Sequence, residues 1–105
     1  SAGPRAAPAA EALAWLAARV QPNDTPRVYA LRALAEVGPA ARAVLPTLLA
    51  QLDDPSWSVR YAVLDAMGRI APDDARVRAA AQRATSDESE AVRGLAQGLL
   101  RPPAP

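Results

Sequence analysis

The sequence predicts an all-α fold, a right-handed solenoid of about three stacked helical hairpins. Three observations carry that expectation. A patterned segment recurs about every 33 residues. The stretches between its copies hold apolar residues at i, i+3, i+4 and i+7, the spacing of one helical face. No run alternates with the period of two that a half-buried strand requires.

The recurrence is visible residue by residue. In VRYAVLDAMGRIAP, Val59 to Pro72, the earlier copy PRVYALRALAEVGP, Pro26 to Pro39, is matched in order. Arg27 falls on Arg60, Leu31 on Leu64, Ala33 on Ala66, Leu34 on Met67, Val37 on Ile70 and Pro39 on Pro72. A third copy, VRGLAQGLL, begins at Val92 and places Arg93 on Arg60 and Leu100 on Met67. Such internal repetition is the mark of a stacked array, in which no single unit buries its own apolar face.

Six helices are expected in order, over about 8–20, 26–37, 40–52, 56–70, 74–85 and 88–100. The first carries Leu13, Leu16, Ala17 and Val20 on one face and reads as the second helix of an earlier unit. The second ends at Gly38, which can adopt positive φ, and Pro39 can open the third. The third helix is the most strongly patterned, with Val44, Leu45, Leu48, Leu49 and Leu52 on one face. Asp54 and Pro55 read as N-cap and first-turn proline of the fourth, with Trp57 and Val59 entering it. The fifth keeps a weaker face of Val77, Ala80, Ala81 and Ala84. Asp87, Glu88 and Glu90 place negative charge where the dipole of the sixth favours it.

The ends differ from the middle. SAGPRAAPAA and RPPAP are rich in proline and alanine and bury little. The expected organisation is a linker or tag remnant over 1–9, a repeat domain over 10–100 and a proline-rich tail over 101–105, cut from a longer chain.

Composition narrows the chemistry. The 105 residues suffice for one small core. All 12 basic residues are arginine, and the formal net charge is +1. Without Cys or His there is no thiolate, imidazole base, disulfide or ordinary zinc or haem site. Balanced, interspersed charge argues against a dedicated nucleic-acid binder. No apolar run approaches the roughly 20 residues of a membrane span, and no signal-peptide centre is visible. Absent cysteine suits cytosol or periplasm alike, with the cytoplasm slightly favoured.

The repeat has a recognisable form: an Asp-Pro turn, a VR pair, an alanine-rich helix ending AMGRIAP or ALAEVGP, then AVLPTLLAQL. This resembles the short HEAT-like, or PBS-lyase-type, repeats of bacterial proteins, over about residues 12 to 100. The ankyrin turn TPLH is absent, and the tryptophan, glycine and tyrosine positions of tetratricopeptide repeats are not met. Pro26 replaces the valine of the first VR pair, and the last copy lacks its second helix. The resemblance implies that second helices line a concave surface. It also implies that Arg27, Arg60 and Arg93 join successive units through acidic partners, with Asp54 and Asp87 as acceptors and Arg93 paired to Asp54. The functional alternative, an arginine ladder that binds phosphate or carboxylate, is the less favoured reading.

Arg42, Thr47, Gln51, Ala79 and Arg83 are expected towards the groove. Trp57 is read as packing over a neighbouring unit or as a partner anchor, Trp15 as a shield for the first helix. Tyr29 and Tyr61 are expected on the outer layer. The acidic pairs Asp53/Asp54 and Asp73/Asp74 read as helix caps rather than as a metal or acid–base site. The partner-binding candidates are Arg42, Thr47, Gln51, Arg83 and Trp57, and no catalytic, cofactor or metal residue is assigned. The function this supports is a non-catalytic interaction or scaffold module for a protein, a peptide or the rest of its own chain, with self-association possible through uncapped ends. An accessory domain of a larger enzyme is the alternative, since some sulfatases carry similar tails. A nucleic-acid-binding array, as in certain DNA glycosylases, is the weakest.

Overall fold

A computed structural model of the chain describes residues 3–19 and 23–102. The elements are α1 (Gly3–Ala18), α2 (Thr25–Val37), a 3₁₀ segment (Gly38–Val44), α3 (Leu45–Leu49), α4 (Trp57–Ile70), α5 (Ala75–Ala84) and α6 (Glu90–Leu100). No strand occurs among the described residues.

The helices stack in two layers. In one, α2 packs on α4 and α4 on α6. In the other, α1 packs against the 3₁₀ segment and α3, while α5 lies behind α4 and α6. The smallest dimension is 18 Å, two helices deep at the usual interaxial spacing of about 8–10 Å. Two complete hairpins therefore sit between a lone second helix at the front and a lone first helix at the back.

α4 occupies the centre and has the broadest buried surface: Val59, Ala62, Val63, Leu64, Ala66, Met67 and Ile70. A helix covered from several sides is apolar over most of its circumference. α2 buries Ala30, Leu31 and Leu34, α5 buries Val77, Ala80 and Ala81, and α6 buries Val92 and Ala96. Each fully buried leucine contributes about 1.5–3 kcal/mol.

Gly38 turns the chain out of α2 as its punctuation predicts. Its φ is +69°, and its N–H returns to the carbonyl of Leu34. A side chain would strain the backbone there.

The helix expected over 40–52 is broken. Pro46 has no N–H to offer the carbonyl of Arg42, and its ring crowds that carbonyl. The segment ahead of it tightens into the 3₁₀ form, and α3 starts at Leu45. Its far end tightens as well, with Gln51 N–H bonding to Leu48 O at 2.9 Å. The apolar register survives: Val44, Leu45 and Leu48 are buried, while Leu49 and Leu52 are only partly covered.

Two other expectations shift. α1 reaches back to Gly3, into the stretch expected as a linker, because alanine has the highest helix propensity and Pro4 falls in the first turn. Its innermost stripe is Ala10, Ala14 and Ala17, with Leu13 and Leu16 to the side; Val20 lies outside the described residues. Ser1 and Ala2 and the tail from Pro103 also lie outside them.

Candidate interaction surfaces

The arginines of the repeat are positioned by the first turns of α2, α4 and α6. Arg60 lies in the first turn of α4. Its Nη1 donates to the carbonyls of Asp54 (2.7 Å) and Pro55 (3.1 Å), in the turn ahead of its own helix. Its Nε and Nη2 reach both oxygens of Asp87 at 3.0 Å each. This fork-to-fork pairing joins the second complete hairpin to α6. Arg27 does the corresponding work one unit earlier. Its Nη2 meets Asp54 Oδ2 at 2.7 Å and its Nε donates to Ala17 O at 2.8 Å, so it ties α1, α2 and the following turn together. The Arg27 side chain is 4% exposed, and its partner carboxylate 11%.

The rungs run forward along the chain, each arginine meeting an aspartate 27 residues later. The expected pair of Arg93 with Asp54 is therefore not formed. Asp54 is held by Arg27, because the first-turn arginine leans towards the next unit and not the previous one.

The aspartates do a second job. Asp54 Oδ1 accepts from Ser56 N at 2.9 Å, and Asp87 Oδ1 from Ser89 N at 2.8 Å. The N-caps of α4 and α6 are the serines, Ser56 and Ser89, so Asp54 stands two residues ahead of the cap expected for it. Asp74 is itself the N-cap of α5 and accepts from Arg76 N at 2.8 Å, whereas Asp53 and Asp73 are exposed. The two hydrogen bonds of Arg60 hold the Asp87 carboxyl below the ordinary carboxylate range. The side chain and then the N–H of Arg76 do the same for Asp74, and the Asp87 carboxylate raises the Arg60 guanidinium.

The residues expected to line a groove on the second-helix layer have other engagements. Arg42 Nη2 bonds to Asp74 Oδ2 at 2.8 Å, linking the 3₁₀ segment to the start of α5. Arg83 meets Asp53 at 3.5 Å. Thr47 and Ala79 are exposed. Gln51 is a correction: it is 7% exposed and points inward. Its Nε2 donates to Thr47 O at 3.2 Å, and its Oε1 has no hydrogen-bond partner among the described residues. Its place on an apolar face, between Leu48 and Leu52, is the sequence signal for that inward position.

The aromatic residues lie elsewhere. Trp57 and Tyr61 stand one turn apart on α4, 52% and 38% exposed, and Tyr29 projects from α2. Trp57 and Tyr61 border a groove of about 450 Å³ on the first-helix layer, with Val28 and Arg32 of α2, Ala62 and Asp65 of α4, and Ala91 of α6. Its floor is apolar. Its polar groups are Ser58 and one charge of each sign, Arg32 and Asp65. Asp65 is already bonded to Arg69 at 3.2 Å. Arg32 stands 5.9 Å over the Tyr29 ring and has no carboxylate partner among the described residues. Trp15 is not the shield expected; it is exposed, with Arg19 4.6 Å above its ring.

Among the described residues no three His, Cys, Asp or Glu side chains are placed to hold a metal ion. No helix among them is long and apolar enough to cross a membrane. The family model for HEAT repeats matches residues 10–101. No curated protein and no solved structure matches the chain.

Proposed function

The chain belongs to the HEAT-repeat family, whose members generally act as protein-interaction or scaffold modules, and we propose that it is a non-catalytic module that binds a partner protein through the groove beside Trp57 and Tyr61. One observation carries this reading: two large aromatic side chains stay exposed, one turn apart, on the helix whose apolar side forms the centre of the core. Aromatic side chains that border a concave apolar floor are the commonest anchors of protein interfaces. The chemistry of the groove describes its occupant. An apolar side chain fills the space between the rings, and a carboxylate beside it meets Arg32.

The second-helix layer is the lesser candidate. Arg42 and Arg83 are tied to aspartates of the same chain, and a partner would have to break those contacts.

A displayed random-peptide library panned on the folded chain tests the reading. Selected peptides share an apolar residue near an acidic one, and Trp57→Ala weakens them at least about tenfold without moving the thermal midpoint. A library whose binders are indifferent to Trp57→Ala and Tyr61→Ala sinks the proposal.

A further inference from the structure

The groove beside Trp57 and Tyr61 does not stop at Asp65. A second hollow of about 220 Å³ continues it between α2 and α4, lined by Arg32, Ala35, Glu36, Asp65 and Arg69. Residues one repeat apart face each other across it, so α2 and α4 run parallel and level. Three levels follow at steps of four residues, about 6 Å each. Val28 stands beside Tyr61, Arg32 beside Asp65, and Glu36 beside Arg69.

A repeat should place like residues at like positions. Here the sign of the charge inverts between the copies at both polar levels. The chain itself does not use the inversion. Asp65 bonds to Arg69 of its own helix at 3.2 Å, and Arg32 lies 5.9 Å over the Tyr29 ring. Among the described residues neither Arg32 nor Glu36 has an ion-pair partner. α6 does not continue the pattern. Level with Tyr61 and Asp65 it has Gly94 and Gly98, and α4 closes on it at Gly68, where a Cβ would stand 2.7 Å from Leu99 Cδ2. The patterned face therefore belongs to α2 and α4 alone.

Such a face has a specific complement. Each polar level shows a cation on one wall and an anion on the other. A segment of one sign satisfies one wall and is repelled by the other. The face itself, after a two-fold rotation about an axis parallel to the helices, satisfies both. That rotation keeps the levels and sets α4 of one copy over α2 of the other. Arg32 then meets Asp65 of the second copy, and Glu36 meets Arg69 of the second copy, each twice by symmetry. The exposed rings of Tyr29, Trp57 and Tyr61 come together at one end. A two-fold axis across the helices also matches charges, Arg32 with Glu36 and Asp65 with Arg69, but it sends the aromatic ends apart.

We propose that the occupant of the groove is a second copy of this chain, docked face to face along α2 and α4 about an axis parallel to them. This rests on the groove beside Trp57 and Tyr61 as the contact site and names what fills it. The carboxylate that Arg32 calls for is Asp65 of the second copy. The two helices present a face roughly 20 Å long, at the small end of specific interfaces, so the dimer is weak and reversible. Burial of the rings holds it together, and the charged levels fix its register.

Sedimentation equilibrium of the whole chain, from about 10 µM to 1 mM, tests the proposal with two charge-reversed variants. Glu36→Arg makes the third level positive on both walls, and Arg69→Glu makes it negative. Both residues are exposed, so the thermal midpoints stay within about 3 °C. The unmodified chain shows a monomer–dimer equilibrium, which Trp57→Ala weakens at least about tenfold. Each charge variant alone dimerises about tenfold more weakly, and an equimolar mixture recovers the original affinity, because each supplies the sign the other lacks. Mixing repairs neither a contact within one chain nor a dimer about an axis across the helices. Arg32→Glu and Asp65→Arg form a second, independent pair for the level above. A chain monomeric at about 1 mM, an association indifferent to the reversals, or a mixture no stronger than its components overturns the proposal. Selected peptides that still depend on Trp57 then leave the groove standing with a different occupant, whereas peptides indifferent to Trp57 remove the groove as well.

Discussion

The two complete hairpins solve the same packing problem by different means. In the first, α2 is backed by a broken limb, a 3₁₀ segment followed by the five-residue α3. In the second, α4 is backed by α5, ten unbroken residues. The broken limb buries Val44, Leu45 and Leu48; the regular one buries Val77, Ala80 and Ala81. Large side chains compensate for an irregular backbone in one, and regular hydrogen bonding compensates for small side chains in the other. Burial needs only that the apolar groups share a face. Helix type is set by a separate variable, the supply of backbone N–H groups, and Pro46 withdraws one.

Three perturbations sharpen this contrast. The largest effect falls on the joint between the hairpins. Asp54→Ala leaves the buried guanidinium of Arg27 with only the exposed carboxylate of Asp24, 4.0 Å from its Nη1, which costs at most roughly 3–5 kcal/mol, and the urea midpoint falls accordingly. Removing Arg27 as well, in the Arg27→Met/Asp54→Ala pair, recovers part of the loss; an additive double variant would show that the rung carries no coupling.

Next comes the unequal sharing of apolar area. Leu48→Ala costs about 2–5 kcal/mol, whereas Ala81→Gly in the other limb costs about 1 kcal/mol, mostly helix propensity. Leu49→Ala is milder than Leu48→Ala because Leu49 is partly exposed. Equal midpoints for Leu48→Ala and Ala81→Gly would remove the contrast between the limbs.

The smallest effect is acidic. Arg60 and the Ser89 N–H lower the Asp87 carboxyl in the folded chain. The stabilisation is therefore fully present above the ordinary aspartate value of about 3.9 and is lost as pH falls through the lowered folded value. Asp87→Asn flattens that part of the stability curve below about pH 4. A variant with an unchanged acid limb would show that the second rung is not linked to protonation.

Much of the architecture is legible in the sequence, because repetition makes each unit a check on the others. Leu31 and Leu64, one repeat apart, are both buried, and Gly38 turns where a glycine followed by proline should. Direction is harder to read. A set of arginines and aspartates in register fits forward and backward pairing alike, and only the lean of Arg27 and Arg60 from their first turns settles it. The break at Pro46 has a signal, a proline seven residues into an expected helix, which the strength of the leucine pattern outweighs. The groove is less legible still. Trp57 and Tyr61 are neighbours by helical spacing, but Val28 and Ala91 come from other repeats, and no local pattern brings them together. Gln51 is misplaced when polarity is weighed above register.

Gly68 has a consequence for the whole array. A Cβ there would stand 2.7 Å from Leu99 Cδ2, so a side chain at this position would make either the Leu99 tip turn aside or α6 step back from α4. In a stacked array a small rotation at each step accumulates into the bend of the superhelix. Where the backbone of α6 yields rather than the Leu99 tip, a change at Gly68 would alter the curvature that a partner meets.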